Sequence, residues 1–389
     1  MDFSLTELQK MLRTSSRDFL KTNCPRSLVR EMAKDEKGYT PELWDQMGEM
    51  GWMGLIIPEQ YGGAGGSFLD LVVLLEEMGR VCLPGPFFST VVLGGLSILE
   101  AGTAEQKNEL LPKLAEGKLL LTLALTEANT AYSADGILTE ASQIGDEFII
   151  QGTKLFVLDA NVSDYLICAA RTKATGIPED GITLFLVDAK SPGMSGSQLK
   201  TIAGDKQCEV IFDRVRVPAR NILGNIHEGW PVLEKVLDKA ITAQCAEMIG
   251  GAKQILEITV DYTKQRKAFG HPIGSFQSIQ HYCANMLVQA DGGSLMVYNA
   301  AWRLSERLPA TQEVAMTKVL ANEFFRQIAA LCLQIHGAIG FTDDHDLPLF
   351  FKRAKAWEIS LGSTNYHLNR IARVRQNSQG STTSARCEF

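Results

Sequence analysis

The sequence predicts an α+β fold in three parts: an N-terminal helical domain, a middle β-barrel or sheet domain, and a C-terminal four-helix bundle. Three observations predict it. Apolar residues recur at helical spacing through the first ~115 residues. From Leu119 the pattern changes to short β-rich runs bounded by Gly, Asp, Asn and Pro. After Gly229 four long helical segments follow with short breaks, the spacing of antiparallel neighbours. The boundaries expected are 1–117, 118–226 and 227–375, with a polar tail over 376–389.

Ser4 and Glu7 have capping-box spacing, ahead of Leu5, Leu8, Leu12 and Phe19 on one face. Thr40-Pro41 reads as an N-cap with Pro at the first helical position, opening a helix with Leu43, Trp44 and Met47. Thr103 and Gln106 form another capping box, before Leu110, Leu111 and Leu114. Tyr61–Gly66 is glycine-rich but follows no strand, so it reads as a tight connection into a helix over 68–81. The β-rich runs are 119–126, 148–151, 154–158, 165–170, 183–187 and 209–212, closed by Pro218. The helical segments are 231–266, 275–307, 311–336 and 346–373. The Ser/Thr/Gly-rich tail is expected to be disordered.

Composition narrows the function. With 389 residues, 45% hydrophobic and 21% charged, the chain has the make-up of a soluble globular protein. Its formal charge of −7 argues against general nucleic-acid binding, while leaving room for a local basic patch. No uninterrupted apolar run approaches the ~20 residues of a membrane span, and the N-terminus lacks a signal-peptide core. Eight cysteines without a C-x-x-C pair read as reduced thiols of a cytoplasmic protein. The histidines show no metal-ligand spacing, and Asp343-Asp344-His345-Asp346 reads as a solvated loop.

Three stretches carry chemistry. Lys352–Arg373 begins as a basic helix, breaks at Leu361-Gly362-Ser363-Thr364 and resumes at Tyr366. Such a break frees backbone N–H groups and a helix N-terminus, which can receive a phosphate or an oxyanion or simply join two helices. Gln265–Ile273 with Phe276-Gln277 places an arginine able to grip a phosphate beside an aromatic ring. Gln334–Phe341, QIHGAIGF, has glycines that let backbone approach a ligand. Each taken singly also suits a helix terminus.

Together and in order, R-x-x-F-G-x-P-I…F-Q, Q-x-x-G-x-x-G-F and Thr126-Glu127 resemble the flavin-dependent acyl-CoA dehydrogenase family over nearly the whole chain. The resemblance implies FAD bound between the β domain and helical bundles in a homotetramer or related assembly. It puts the flavin ring near Thr126, near Phe156 in place of the usual tryptophan, and near Leu158 where a threonine is common. It gives the diphosphate and adenine to Arg266, Phe269, Gln277, Gln334, Gly337 and Ala338 of a neighbouring subunit, with Ser363 and Asn365 as further contacts. It implies removal of an α-proton from an acyl-CoA thioester, transfer of a β-hydride to flavin, and an electron-transfer flavoprotein or similar acceptor.

The departures are as informative. The usual base position holds Leu361, and the alternative on the first bundle helix holds Ala240, followed by Ile241 where an arginine is common. Neither can take a proton, a step worth ~10²–10⁴ in rate. Gln244, Glu247 and Asp159 are the remaining polar candidates, whereas Glu358 reads as structural. Glu127–Ser133 replaces the family's E-P-G-x-G-S-D, with Tyr132 in place of its CoA-binding serine. These changes resemble the branch acting on bulky ring-bearing or dicarboxylic acyl-CoAs, often as two unlike subunits. Three readings therefore stand: a subunit whose homologous partner supplies the base, a flavin monooxygenase of the same fold, and a non-catalytic structural subunit.

Overall fold

The computed structural model describes residues 4–129 and 132–384. In chain order the helices are α1 (Glu7–Asn23), α2 (Arg26–Lys34), α3 (Pro41–Glu49), α4 (Phe68–Val81), α5 (Leu96–Ala101, continuing a π-helical stretch Phe88–Gly95) and α6 (Ala104–Ala115). Then come strands β1 (Leu121–Ala124), β2 (Glu140–Ile144), β3 (Glu147–Leu158), β4 (Tyr165–Arg171), β5 (Ile182–Asp188), β6 (Met194–Leu199), β7 (Gln207–Pro218) and β8 (Ile222–Leu223). The bundle follows: α7 (Gly229–Gln265), a hairpin of β9 (Lys267–Ala268) and β10 (His271–Pro272), α8 (Gln277–Ser305), α9 (Thr311–His336), α10 (Leu347–Ile359) and α11 (Thr364–Ser384).

The expected caps at Thr40 and Thr103 form, each side chain accepting a hydrogen bond from the N–H three residues on. The first cap does not fall at Ser4: Thr6 and Gln9 make the reciprocal box, because their spacing satisfies both orphan donors. The runs at 148–151 and 154–158 are one strand, β3, bulged between Ile150 and Gly152 and between Lys154 and Val157. β2 and β6 have mostly exposed side chains and little apolar alternation, which is why hydrophobic pattern alone misses them. The tail does not break at 376 but extends α11 to Ser384, since no proline halts a helix already nucleated.

Contacts divide the chain into two compact units. One comprises Ser27–Ser67 and Pro84–Ala240 and is built on an eight-stranded mixed sheet of order β6-β7-β3-β2-β4-β5-β8, with β1 parallel to β4. Its core packs Phe148 against Phe185, the rings tilted by 53° with centroids 5.1 Å apart, among Ile150, Val157, Phe212 and Val217. α6 is tied in by Gln106, whose amide donates to the carbonyls of Arg220 and Ile222.

The other unit comprises Met1–Arg26, Phe68–Leu83 and Ile241–Phe389, so α1 and α4 pack with the bundle. Two glycines explain the fit of α4 against α7. A Cβ on Gly79 would lie 2.0 Å from the Glu247 carbonyl oxygen, and one on Gly250 would lie 1.9 Å from that of Glu76. The backbones therefore touch, and only glycine allows it. Buried Glu76 and Glu77 are answered by Arg13, Arg17, Arg80, Lys253 and the Tyr298 hydroxyl. By length and composition Thr311–Phe341 is apolar enough to cross a membrane, yet α9 buries Val314, Phe325, Ile328 and Cys332 as a core helix does.

Candidate functional site

The joint between α10 and α11 is built by side chains that replace a helix's own hydrogen bonds. Had α10 continued, the Leu361 and Gly362 N–H groups would bond the carbonyls of Trp357 and Glu358. Instead Lys318 Nζ takes the Trp357 oxygen at 2.6 Å and Asn322 Nδ2 takes the Glu358 oxygen at 3.1 Å. Lys318 and Asn322 stand one turn apart on α9 and cap the end of α10. Among the described residues, neither the Leu361 nor the Gly362 N–H then donates a hydrogen bond. Both residues have positive φ, 55° at Leu361 and 105° at Gly362, and a Cβ on Gly362 would lie 2.5 Å from the Tyr366 ring. Leu361 thus holds a conformation that costs a β-carbon residue about 1–2 kcal/mol.

His367 fixes the far side of the turn. It is fully buried, and its Nε2 lies 2.9 Å from the Leu361 carbonyl oxygen. A carbonyl only accepts, so Nε2 carries the proton and Nδ1 keeps a buried lone pair without a partner among the described residues. Burial pushes the His367 imidazole down to about 4, against the Leu361 hydrogen bond that raises it. Lys318, also fully buried, is pushed down to about 8 by desolvation, with Cys245 and Glu358 opposing.

Of the two base positions expected from the sequence, Leu361 lies in this joint. Ala240 and Ile241 are buried and apolar, as is Leu361. One turn on from Ala240, Gln244 accepts from Lys318 Nζ at 2.7 Å and donates to Ser360 Oγ at 3.0 Å. Gln244 therefore has both amide ends committed, and an amide takes no proton near neutral pH. Glu247 is partly buried on the side of α7 that meets α4, and burial pushes its carboxyl up to about 8 while Arg353 pulls it down. Asp159 Oδ2 accepts from Ser89 Oγ at 2.6 Å, with φ of 51°. Glu358 pairs with Lys355 at 3.0 Å. Among the described residues, none of these carboxylates hydrogen-bonds Ser360 or Leu361.

In the sheet unit, Thr126 and Glu127 follow β1. The Thr126 carbonyl accepts from Leu155 N–H at 2.8 Å, and Thr122 Oγ1 donates to the Leu158 carbonyl at 2.6 Å. These bonds set β1 beside the bulge of β3, where Phe156 takes φ of 57° and leaves 46% of its surface exposed. Thr126 thus lies beside Leu155, which precedes Phe156 in β3, while Leu158 lies further along, level with Thr122. Glu127 holds the loop: it pairs with the buried Lys154 at 2.7 Å and accepts from the N–H groups of Leu138 and Thr139. Of the stretch 127–133, Thr130 and Ala131 lie outside the described residues.

In the bundle unit, Tyr262 stacks on His336 with ring centroids 4.1 Å apart. That contact brings Arg266, one turn beyond Tyr262, to the end of the bundle carrying Gln334, Gly337 and Ala338. Phe269 sits at φ 53° in the turn of the β9–β10 hairpin and is 93% exposed, edge-on to Phe276. Gln277 opens α8, whose N-terminus has no side-chain cap. Arg266, Gln277, Gln334, Gly337, Ala338, Ser363 and Asn365 are all exposed. His336 Nε2 is buried without a partner among the described residues, beside Gly337, where an added Cβ would meet nothing. A guanidinium, two amides and the N-terminus of a 29-residue helix without a side-chain cap are groups of the type that can bind an anionic diphosphate.

Comparison with known proteins decides what this framework is. Residues 6–118 match the acyl-CoA dehydrogenase N-terminal domain, 122–215 the middle domain and 227–375 the C-terminal domain. The chain belongs to the acyl-CoA dehydrogenase family. Similar proteins include a probable acyl-CoA dehydrogenase, YngJ, of Bacillus subtilis, 33% identical over 96% of this chain and 99% of its own length. The NADH-linked acryloyl-CoA reductase of Anaerotignum propionicum is 34% identical, covering 96% and 95%. Among solved structures, the ChsE4–ChsE5 complex of Mycobacterium tuberculosis superposes with a TM-score of 0.88 at 27% identity, covering 96% of this chain and 98% of that one. The acyl-CoA dehydrogenase architecture expected from the sequence is therefore present, helical, sheet and helical in order.

Sequence reasoning missed Lys318, Asn322, Ser360 and His367. Lys318 and Asn322 were visible as polar residues four apart on an otherwise apolar helix face, a spacing that puts them on one side.

Proposed function

We propose that this chain is the FAD-holding subunit of an enzyme that desaturates the Cα–Cβ bond of a CoA thioester, or reduces the enoyl thioester in the reverse direction, and that a homologous partner chain supplies the catalytic base. One observation carries the reading: among the described residues the joint offers unspent N–H donors at Leu361 and Gly362, while the side chain at this base position is a buried leucine. A donor pair of this kind stabilises negative charge on a thioester oxygen as the α-proton leaves. The residue that removes that proton in a self-sufficient site is absent from both positions.

FAD is the cofactor, and it takes up the β-hydride when bound. The residues that fit it are Thr126, Phe156 and Leu158 against the ring, and Arg266, Phe269, Gln277, Gln334, Gly337 and Ala338 at the diphosphate and adenine. Ser363 and Asn365, at the start of α11, complete the set. The Leu361 N–H holds the thioester oxygen, Leu361 and, separately, Ala240 offer no carboxylate, and the proton goes to a carboxylate of the partner. Two electrons then pass to an electron-transfer flavoprotein or similar acceptor in the cytoplasm. The acyl group is bulky, ring-bearing or dicarboxylic, a reading supported by Tyr132 in place of the usual CoA-binding serine.

Co-expression with a homologous chain tests this. The complex should desaturate a ring-bearing acyl-CoA at least ~10²-fold faster than this chain alone, the worth of a general base. Full-rate turnover by the isolated chain would end the partner reading.

A further inference from the structure

We propose that Ser360 is a ligand-binding donor, its hydroxyl proton turned outward by a buried hydrogen-bond chain from Lys318 through Gln244, and that it binds the thioester carbonyl oxygen together with the Leu361 N–H. The assignment of the thioester rests on the function proposed above. The direction of the chain does not.

Each link has one possible polarity. Lys318 Nζ has two near acceptors, the Trp357 carbonyl at 2.6 Å and Gln244 Oε1 at 2.7 Å. An ammonium donates to both, and a neutral amine still has two protons for the two bonds. The Gln244 oxygen therefore faces Lys318, which leaves its NH₂ facing Ser360 Oγ at 3.0 Å. The serine oxygen is thus an acceptor on its inner side, and its single proton points elsewhere. Among the described residues that proton has no acceptor, and the Ser360 backbone N–H is already spent on the Ala356 carbonyl at 3.2 Å. The Ser360 side chain is only partly buried, whereas Gln244 and Lys318 are buried. A hydroxyl whose oxygen already accepts is also a stronger donor through hydrogen-bond cooperativity. Next along the chain stands the Leu361 N–H, likewise unspent. Two adjacent donors of this sort suit one carbonyl oxygen with two lone pairs.

The experiment has two arms on the purified, FAD-loaded protein. In the first, Ser360→Cys is alkylated with iodoacetamide across pH 5–10 and read peptide by peptide. Donation from Gln244 stabilises the thiolate, so the introduced thiol should titrate at least one unit below the ordinary ~8.5. Adding Gln244→Met, similar in size but unable to donate, should raise it by a unit or more. A thiol at its ordinary value, unmoved by Gln244→Met, overturns the proposal. In the second arm, equilibrium dialysis compares cyclohexanecarbonyl-CoA with S-(cyclohexylmethyl)-CoA, which lacks the carbonyl. Ser360→Ala should weaken cyclohexanecarbonyl-CoA binding roughly three- to ten-fold, one hydrogen bond's worth, and leave the S-alkyl analogue within about two-fold. Ser360→Thr should restore the difference. Equal effects on both probes overturn the thioester assignment. If the wild type binds neither probe, the proposed function falls and the assignment with it; the thiol arm needs no ligand and tells the two failures apart.

Discussion

Two protons on the Lys318 nitrogen hold the Trp357 and Gln244 oxygens, and the cost is a buried cation that, among the described residues, has no carboxylate hydrogen-bonded to it. Burial brings Lys318 down to about 8, below its unfolded value near 10.5. The native state therefore binds fewer protons than the unfolded state between those values, and stability rises with pH across that window. Lys318→Met should lose this slope, worth on the order of 3 kcal/mol over the full window, in urea titrations from pH 7.5 to 10.5. Glu247 works in the opposite sense. Its carboxyl is raised to about 8 from 4.5, so its contribution is complete below pH 4.5 and is lost as pH rises through 8. Glu247→Gln should gain stability relative to the wild type between pH 5 and 8. A flat difference would show that Glu247 is charged and solvated in the native protein.

At the scale of the element, the joint between α10 and α11 is a helix interruption maintained from outside. Lys318 and Asn322 occupy the carbonyls that would continue the helix, His367 holds Leu361, and Gly362 supplies the turn. Gly362→Ala should cost about 1–3 kcal/mol from its left-handed backbone alone. Its Cβ would also meet Tyr366, so thermal unfolding should fall and acyl-CoA binding weaken together. Binding that survives intact would mean that the joint's geometry does not matter to the ligand. The break itself was legible in Leu361-Gly362-Ser363-Thr364, because glycine and hydroxyls interrupt a helical pattern locally. What maintains it was not, because Lys318 and His367 act across the fold, and no local pattern says that a lysine on α9 ends at a carbonyl of α10. The same division holds in the sheet. Strands with buried faces such as β5 were readable, whereas β2 and β6, mostly exposed, have no hydrophobic signature.

At the scale of the molecule, the proposed function has the sequence motifs keep the cofactor's donors and drop the base. Arg266, Gln277 and Gln334 stand exposed with the uncapped end of α8, while Ala240 and Leu361 close both base positions with hydrocarbon. Large apolar side chains are also exposed along α8, at Tyr282, Leu287, Val288 and Leu295, with Phe269 beyond its start. A chain that leaves so much apolar surface on one helix is suited to assembly. The account therefore stands on what this chain is assembled with. A native mass spectrum of the complex purified from its own source measures that directly. It should show FAD and two unlike subunits, this chain and a homologue carrying a carboxylate at one of the two base positions. An assembly of this chain alone that desaturates an acyl-CoA at full rate would contradict it.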